Sequence, residues 1–460
     1  MAHGEVRPLD TLDELLAFTD PQPCIVERMR EVNRGDGQAP RIMFCHDLKG
    51  GYLEDRFING CDSPHGYRFH HWQLIDSFVY YAHHLVTIPP PGWISAGHIH
   101  GVKVLAKYLF ASSTGVRIFN EHVHRRTPSI FKMHANIVAS VAGESASSTL
   151  NITSCIPFVK DFLRLLTEEM HSAVPGSMVI WYDAVARTGK CARQNELNSK
   201  NAPFFDMCDG IFLHFKWTED MLEDSARFAG DRKNDVYVGI DVFARKTEYA
   251  GGFETCKAVA QARKYGLSAG IFAAGWVYET QDRSNFIDNQ CRFWNFLDTL
   301  CNDWRVVTLP LKTGFCQGFG EKLYRDGKVA SSRPWYNLAK QQLQPRDQGT
   351  ALCGGCGSAT VDTTVAYNGG GCLRLQFEPR NVDVKPYFRR YTIRDLGGDA
   401  KLQEIGAALE SRAATCCLLG EIVVERLSDV KENVEEDCDD GPDMASDDEE
   451  WEPSAKMRRL

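Results

Sequence analysis

Val236-Tyr-Val-Gly-Ile-Asp241 is a short apolar run of the kind that forms a buried strand, and Ser268-Ala-Gly-Ile-Phe-Ala-Ala274 is a second one. Between the two runs, residues 254–265 carry apolar side chains at three- and four-residue steps and stop at Gly266, which predicts a helix. A strand, a helix and another strand in this order are typical of α/β folds with a parallel sheet.

The same alternation extends over most of the chain. Residues 157–170 open with a proline and place apolar side chains at helical steps, so they predict another helix. Eight apolar runs alternate with such segments: 41–45, 75–81, 101–105, 148–152, 178–182, 210–215, 236–241 and 268–274. Eight strands that alternate with helices predict a closed (β/α)8 barrel, or TIM barrel, over residues 41–330, and an open doubly wound sheet is the alternative.

The chain outside this barrel segment has a different character. Residues 1–40 precede the first run and form an N-terminal extension. Residues 365–376 alternate around a glycine-rich turn, which predicts strands of a shortened β-rich, sandwich-like domain over residues 331–427. Residues 428–460 contain a dense acidic stretch, and we expect this tail to be disordered because it can bury too little apolar area.

Charge and composition exclude several classes of protein. The formal net charge is -9, but residues 429–452 alone hold 13 acids and one lysine, so the rest is close to neutral and no nucleic-acid partner is expected. No run of 18 apolar residues occurs, so we expect no membrane span or membrane partner. The N-terminus shows no secretory signal, so the 16 cysteines are expected to be reduced thiols. Cys353-Gly-Gly-Cys356 has zinc-ligand spacing without a second pair, so no metal or cofactor is expected.

The residues that bind and react with a ligand in a (β/α)8 barrel lie at the carboxyl ends of the strands. Aromatic, polar and acidic side chains follow the predicted strands at these ends, and the candidates are His46, Tyr81, Asn151, Tyr182, Trp217, Asp241, Trp276 and Glu279. Aromatic rings stack on the apolar faces of pyranose rings while polar groups bind the hydroxyls, so this set predicts a saccharide site.

The candidates differ in their expected roles. We expect Trp217 and Trp276 to be stacking platforms for sugar rings. Asp241 and Glu279 are predicted to contact sugar hydroxyls, and a structural ion pair with a neighbour such as Arg245 is the alternative for each of them.

The segments around the predicted strands form an ordered set of motifs. The first is Cys45-His-Asp-Leu-Lys-Gly-Gly-Tyr-Leu-Glu-Asp-Arg-Phe57, and later ones include Trp181-Tyr-Asp183, Tyr237-Val-Gly-Ile-Asp-Val-Phe-Ala-Arg245 and Phe272-Ala-Ala-Gly-Trp-Val-Tyr-Glu279. In this order they resemble the strand signatures of glycoside hydrolase family 85, the cytosolic endo-β-N-acetylglucosaminidases. The resemblance covers residues 41–345 and implies the same barrel.

The resemblance also implies an activity. Members of the family cleave the β1,4 bond between the two core N-acetylglucosamines of N-glycans, so N-glycans or glycoproteins with a chitobiose core are the expected partners, in the cytosol. The oxygen of the substrate's own 2-acetamido group attacks the anomeric carbon and forms an oxazolinium ion, so the substrate supplies the nucleophile. This chemistry requires no cofactor.

The resemblance assigns three catalytic positions. Asn151 falls on the asparagine that orients the acetamido group, and Tyr182 falls on a tyrosine that helps to hold it. Thr153 falls on the glutamate that acts as general acid and base, although a threonine hydroxyl has no useful acidity near neutral pH. Residues 145–149 are also polar where a barrel strand should be apolar. A shifted reading frame or a degenerate copy would each produce this pattern, so the alternative function is a catalytically silent N-glycan-binding pseudoenzyme.

Overall fold

The computed structural model describes residues 4–18, 26–30, 39–63, 65–109, 136–140, 153, 156–190, 192–302, 306–307, 310–344, 357–377, 387–393, 404–408, 415–424 and 455–459. The chain divides into two compact units. The first consists of Met1–Trp304 with Trp335–Lys340, and the second consists of Arg305–Pro334 with Gln341–Leu460.

The first unit is built on one sheet. Its described strands are β1 (Ile42–His46), β2 (Ser77–Tyr80), β3 (Val86–Thr87), β4 (Lys103–Leu109), β5 (Asn136–Ser140), β6 (Val179–Tyr182), β7 (Gly210–Leu213), β8 (Val236–Asp241) and β9 (Ser268–Phe272). All pairings are parallel except that of the short β3 with β4. β1 pairs with both β2 and β9, and β2 pairs with β4, so the eight parallel strands close into a ring. The predicted barrel is therefore confirmed, and an open sheet is excluded because the first and last strands pair.

The fourth strand of the ring is not the predicted one. Residues 148–152, which were expected to form it, lie outside the described residues. β5 holds the place between β4 and β6 instead, in parallel register with both neighbours. The sequence of β5 contains Ile137 and Val138, and β-branched residues favour a strand inside a parallel sheet. The predicted position of this strand is therefore wrong, whereas the other seven runs overlap the observed strands.

Helices connect the strands of the ring. The described helices are α1 (Leu12–Ala17), α2 (Pro91–Ile99), α3 (Ile156–Ala173), α4 (Ala202–Phe205), α5 (Glu219–Ala229), α6 (Thr255–Lys264), α7 (Trp276–Thr280) and α8 (Phe286–Asn295). The Thr218 side chain accepts a hydrogen bond from the backbone of Met221 and so caps α5. α5 ends at Gly230, whose φ of 56° lies in the left-handed region that glycine adopts without strain.

Large apolar side chains fill the interior of the barrel. The buried cluster contains Met43, Cys45, Val79, Leu105, Met178, Ile180, Phe212, Tyr237, Phe272 and Ala273. The ring of Phe212 lies against Gly239 of β8 and Gly270 of β9. A Cβ atom at Gly270 would lie 2.3 Å from this ring, and one at Gly239 would lie 2.2 Å from the Leu213 carbonyl oxygen. Gly270 is therefore needed to leave room for the Phe212 ring, and Gly239 to let the Leu213 backbone approach β8.

The second unit consists of strands in its described residues. Its strands are β10 (Val306–Val307), β11 (Leu311–Thr313), β12 (Gln317–Gly320), β13 (Leu323–Arg325), β14 (Lys328–Ser331), β16 (Gly357–Asp362), β17 (Cys372–Phe377), β18 (Tyr387–Ile393), β19 (Glu404–Ala408), β20 (Thr415–Val424) and β21 (Ala455–Arg459). β15 (Trp335–Gln341) belongs to the first unit except for its last residue. β11, β20, β17 and β16 are neighbours in one antiparallel sheet. The β13–β14 hairpin turns on Asp326-Gly327, both with positive φ, as a two-residue turn requires.

The predicted acidic tail contains one described element. β21 lies within residues 428–460 and pairs antiparallel with β20. Its sequence, Ala-Lys-Met-Arg-Arg, is basic and follows the acidic stretch, so it differs in composition from the segment that motivated the prediction of disorder. The remainder of the tail lies outside the described residues. None of the helices in the described part of the chain is long and apolar enough to cross a lipid bilayer.

Candidate active site

Three partly buried aromatic side chains lie on the interior cluster of the barrel. Tyr81 directly follows β2, Tyr182 ends β6, and Phe243 follows β8, so all three belong to carboxyl ends of parallel strands. Because the carboxyl ends of parallel strands meet at one rim, the three rings line the mouth of the barrel. Tyr81 and Tyr182 therefore lie where the sequence predicts a sugar site, and Phe243 is an additional ring there.

A buried lysine fixes the position of Tyr81. Lys107, on β4, is only 1% exposed, and its Nζ lies 4.2 Å from the centre of the Tyr81 ring. The same Nζ donates a hydrogen bond of 2.5 Å to the carbonyl oxygen of Ala82. The edge of the Tyr81 ring contacts Phe272, with the ring centres 5.5 Å apart. A cation over one ring face and an aromatic neighbour at its edge hold this tyrosine in one orientation.

Tyr182 lies next to a neutral histidine. The centre of its ring is 6.5 Å from that of His214, which follows β7. Burial lowers the pKa of His214 to about 3, and the nearby positive charges of Arg193 and Lys216 act in the same direction. His214 Nδ1 lies 2.7 Å from Oδ1 of Asn195, which can only accept, so Nδ1 carries the proton. The other ring nitrogen, Nε2, is then free of a proton and can accept a hydrogen bond from a hydroxyl group.

Asp183 organises the loop that carries Asn195. Its Oδ2 accepts hydrogen bonds from the backbone N–H groups of Gln194 (2.9 Å) and Asn195 (2.7 Å), and its Oδ1 accepts one from Asn201 Nδ2 (3.0 Å). Asn195 has a φ of 60°, in the left-handed region that costs a non-glycine residue energy. Burial raises the pKa of Asp183 to about 6, and these hydrogen bonds oppose the rise. The buried carboxylate therefore holds a strained loop and, through it, orients His214.

Asp241 makes a structural ion pair. Its carboxylate is completely buried, and Oδ2 lies 2.8 Å from Nε of Arg245 while Oδ1 lies 3.1 Å from Nη2. The backbone N–H groups of Phe243 and Arg245 donate to the same two oxygens. These hydrogen bonds all lie within the turn after β8, so the ion-pair alternative is confirmed for Asp241. The Arg245 guanidinium lies 5.2 Å from the centre of the Phe243 ring and so brings a positive charge to the rim.

The two predicted stacking platforms differ in exposure. Trp217 is 3% exposed, its ring stacks on Tyr249 with the centres 4.7 Å apart, and its Nε1 donates to the carbonyl oxygen of Gly239. The platform prediction is wrong for Trp217, because this ring is part of the packing. Trp276 begins α7, is partly exposed and contacts Phe253 through an edge. For Trp276 and for the exposed Glu279, a role in sugar binding stays a prediction.

The side chain of His46 lies on the outer face of the sheet, away from the barrel interior. The preceding residue, Cys45, belongs to the interior cluster, and side chains alternate along a strand, so His46 points outwards. It is 2% exposed and packs against Tyr67 and Trp93, with ring centres 4.8 and 4.9 Å away. Burial lowers the pKa of His46 to about 3. The prediction of a sugar contact at His46 is therefore wrong.

Of Asn151 and Thr153, which the family resemblance assigns to catalysis, the structure describes only Thr153. Asn151 lies outside the described residues. Thr153 is exposed, and its hydroxyl donates a hydrogen bond of 2.7 Å to the carbonyl oxygen of Thr188. Thr188 belongs to the loop that follows β6, so Thr153 lies at the same end of the barrel as Tyr182. Their roles stay predictions.

Sequence reasoning missed Lys107, Asp183 and Phe243 as site residues. Lys107 lies inside a strand, where a charged residue is rarely buried, and that rarity was an available signal. Asp183 follows Tyr182 directly, at a strand end, but a sequence does not show which loop it binds. Phe243 lies two residues beyond Asp241, so only the turn made by the Asp241–Arg245 pair brings it to the rim.

Comparison with protein families gives a match over the barrel. The family model described as "Glycosyl hydrolase family 85" matches residues 52–323, which is more than half of the chain. The chain belongs to glycosyl hydrolase family 85. The match begins in the loop after β1 and includes β2 to β9, so it covers all the site residues described at the mouth.

Curated relatives of this family 85 chain are similar over most of its length. A protein of Gallus gallus named cytosolic endo-beta-N-acetylglucosaminidase is 38% identical over 386 residues, which cover 80% of this chain and 52% of the relative. A Homo sapiens protein of the same name is 40% identical over 349 residues, which cover 74% of this chain and 47% of the relative. The chain therefore spans about half the length of the curated relatives it matches.

A solved structure supports the same fold. The glycoside hydrolase domain of Endo-D from Streptococcus pneumoniae R6 aligns with a TM-score of 0.69 and 18% sequence identity, and the alignment covers 92% of this chain and 78% of that chain. At this identity the likeness concerns the fold alone. It agrees with the closed ring of eight parallel strands in this family 85 chain.

Proposed function

We propose that this chain is an endo-β-N-acetylglucosaminidase that hydrolyses the β1,4 bond between the two core N-acetylglucosamines of N-glycans. The observation that carries the proposal is the family 85 membership of a chain whose barrel mouth holds Tyr81, Tyr182 and Phe243. Apolar sugar faces stack on such rings, while the neutral His214 and the cation of Arg245 offer an acceptor and a donor for hydroxyl groups.

The reaction is substrate-assisted. The 2-acetamido oxygen of the sugar on the non-reducing side of the bond attacks C1, the bond to the leaving oxygen breaks, and an oxazolinium ion forms. Asn151 orients the acetamido group, and the Tyr182 hydroxyl helps to hold it against the anomeric carbon. Water then opens the ring, which restores the acetamido group and releases the glycan with one N-acetylglucosamine. No cofactor takes part.

Proton transfer is the step for which this chain lacks the expected carboxylic acid. Thr153 occupies the predicted position of the general acid, and its hydroxyl is held by the Thr188 carbonyl. General acid–base catalysis contributes about 10²–10⁴-fold to a rate, so hydrolysis without a carboxylic acid is slower by about that factor. This observation favours a second candidate function, in which the chain binds N-glycans without cleaving them.

A high-mannose glycopeptide with a single Asn-linked glycan distinguishes the two functions. The chain and the glycopeptide are incubated together, and mass spectrometry follows the peptide. Hydrolysis produces a peptide that keeps one N-acetylglucosamine, in step with a free glycan that ends in the other. Calorimetric binding of the same glycopeptide without any such product would instead establish the silent binder. If neither binding nor any product is detected, both functions are ruled out.

The cellular setting follows from the same proposal. We place the chain in the cytosol, as the names of its curated relatives place those proteins, with glycoproteins or released N-glycans as its partners. The ten cysteines in the described part of the chain are free thiols, the form that a reducing compartment maintains. We also propose that residues 331–427 form a shortened β-rich domain, most of which lies in the second unit.

A further inference from the structure

Two histidines and one cysteine converge outside the barrel mouth. His70 and His71 lie in the segment before β2, and Cys291 lies in α8, and each of the three is less than 9% exposed. One nitrogen of each imidazole and the sulfur of Cys291 all lie within 4.8 Å of one another. The Sγ atom of Cys291 is 3.8 Å from Nε2 of His70. Among the residues that the structure describes, this is the one group of its kind.

Two nitrogen atoms of this cluster have no hydrogen-bond partner. One is Nε2 of His71, and the other is Nδ1 of His70, whose Nε2 is the nitrogen that faces Cys291. Nearly all buried polar atoms in proteins are paired, so the unpaired Nε2 of His71 calls for an explanation such as a bound ion. Both imidazoles are buried, and burial disfavours the charged form of a histidine. A neutral imidazole has a free lone pair, which is the form that binds metals.

We propose that His70, His71 and Cys291 bind a single thiophilic metal ion, with Cu⁺ preferred over Zn²⁺. Metal–nitrogen bonds of about 2.0–2.1 Å and metal–sulfur bonds of about 2.3 Å place ligand atoms about 3.3–3.8 Å apart. The observed separations come within about 1 Å of that range. Small rotations of the side chains therefore complete the site.

The charge of the site favours a monovalent ion. Two neutral imidazoles and one thiolate compensate Cu⁺ completely, whereas they leave Zn²⁺ with one uncompensated positive charge. A buried charge without a partner is costly, and the positive charge of Arg68 already acts on His70. Thiolate ligands also select Cu⁺ by their softness.

The binding step is balanced without any redox change. The metal–sulfur bond forms as the S–H bond of Cys291 breaks, and the proton leaves to solvent. Because a proton is released on binding, the affinity for the metal increases with pH.

A metal at this site would join two distant parts of the barrel. His70 and Cys291 are 221 positions apart in the sequence, so bonds from one metal ion to both would connect α8 to the segment before β2. An ion that binds only the folded state stabilises it. The site is thus structural and independent of the sugar site.

The test is an anaerobic titration of the full chain under reducing conditions with Cu⁺ and, separately, with Zn²⁺, in competition with a chromophoric chelator. Exposed thiols such as Cys416 also bind Cu⁺, so binding to them has to be separated from binding at the site. The quantity measured is the number of tightly bound metal ions per chain, compared between the wild type and the variants Cys291→Ser and His71→Asn. Cys208→Ser is the matched control, because the Cys208 thiol is buried against backbone carbonyls and has no histidine partner among its hydrogen bonds. We expect each site variant to lose one equivalent and the control to keep it.

Thermal unfolding and X-ray absorption complete the test. Saturation should raise the Tm of the wild-type chain by about 3 °C or more and leave that of the site variants unchanged. The absorption difference between wild type and Cys291→Ser should show one sulfur and two nitrogen ligands. Equal stoichiometry in wild type and both variants would overturn the proposal, and tighter Zn²⁺ binding would overturn the preference for Cu⁺. If the variants fail to fold, a wild-type spectrum without nitrogen ligands overturns it alone.

Discussion

Asp183 is a single residue on which the geometry of the rim depends. Four donors converge on its buried carboxylate: the side chain of Asn201 and the backbone N–H groups of Gln194, Asn195 and His214. The residue touches no sugar in our account. It acts as a positioning residue, because it holds Asn195, which in turn orients His214.

Asp183→Asn should therefore destabilise the chain and slow any glycan release. An amide cannot accept at both of its ends, so the donor of Asn201 or the backbone donors face another donor. A buried unsatisfied group costs about 1–3 kcal/mol, which urea-induced unfolding can measure. Asp206→Asn is the matched control, because Asp206 is exposed, and it should change the free energy of unfolding by less than about 0.5 kcal/mol. Equal stability of the two variants would contradict the role of Asp183.

Thr153→Glu should raise the rate of hydrolysis. A glutamic acid at this position supplies the missing proton donor, and we expect a gain of about 10²–10⁴-fold in the release of glycan from a high-mannose glycopeptide. Thr153→Gln has nearly the same size without the acidity and should give no gain. A glutamate variant no faster than the glutamine variant would mean that position 153 does not reach the scissile bond.

The sequence predicted the location of a side chain correctly where it was clear which residues of a strand face the barrel interior. Tyr81 and Tyr182 lie at the mouth as expected, since each belongs to the inward phase of its strand. His46 and Trp217 were wrong, because proximity to a strand end does not say which face of the sheet a side chain takes or which neighbour covers it. Lys107 was missed, because its partners come from another strand that is distant in sequence.

At the scale of elements, seven of the eight barrel strands could be predicted and one could not. Each correct run is apolar and bounded by turn residues, as a strand buried on both faces requires. The fourth was placed at 148–152 as a weak apolar run, although residues 145–149 are polar. The apolar run of β5 is only three residues long, Ile137-Val-Ala139, and its pairing with β4 and β6 defines the strand.

The packing of β7, β8 and β9 predicts a difference between two glycine substitutions. The three atoms nearest to a Cβ atom at Gly270 all belong to the ring of Phe212, the first at 2.3 Å, whereas a Cβ atom at Gly239 would lie 2.2 Å from the Leu213 backbone. Gly270→Ala should lower the free energy of unfolding by about 1–3 kcal/mol, and Phe212→Leu in the same chain should recover much of that loss. Gly239→Ala should not be rescued, because a smaller side chain at 212 leaves the carbonyl in place. Equal rescue in both double-mutant cycles would argue against this packing.

For the whole molecule, buried histidines determine how stability depends on pH. Burial lowers the pKa of five of them, to about 3 for three and to about 4 for a fourth: His46, His70, His71, His100 and His214. An unfolded histidine titrates near about 6.5, so the unfolded chain takes up protons first as the pH falls. The stability is thus complete above pH about 6.5 and is lost between about 6.5 and 3. Asp183, with its raised pKa, opposes this trend between about pH 4 and 6, but with one proton only.

Unfolding in urea should therefore require less denaturant at pH 5.5 than at pH 7.5. Each such histidine contributes up to about 1.4 kcal/mol per pH unit, and we expect a total loss of at least about 3 kcal/mol. His46→Phe keeps an aromatic ring in the Tyr67–Trp93 cluster and should reduce the slope by about one proton. A free energy of unfolding that does not change between the two pH values would contradict this account.

The most direct measurement concerns the acetamido group at the mouth. A non-hydrolysable thiazoline analogue of the chitobiose core reproduces the fused ring of the oxazolinium ion, and calorimetry can compare its affinity with that of plain chitobiose. We predict that the wild-type chain binds the analogue more tightly, by about 10²-fold or more, and that Tyr182→Phe reduces this preference. Equal affinities for the two ligands, in the wild-type chain and in the Tyr182→Phe variant alike, would contradict the substrate-assisted account.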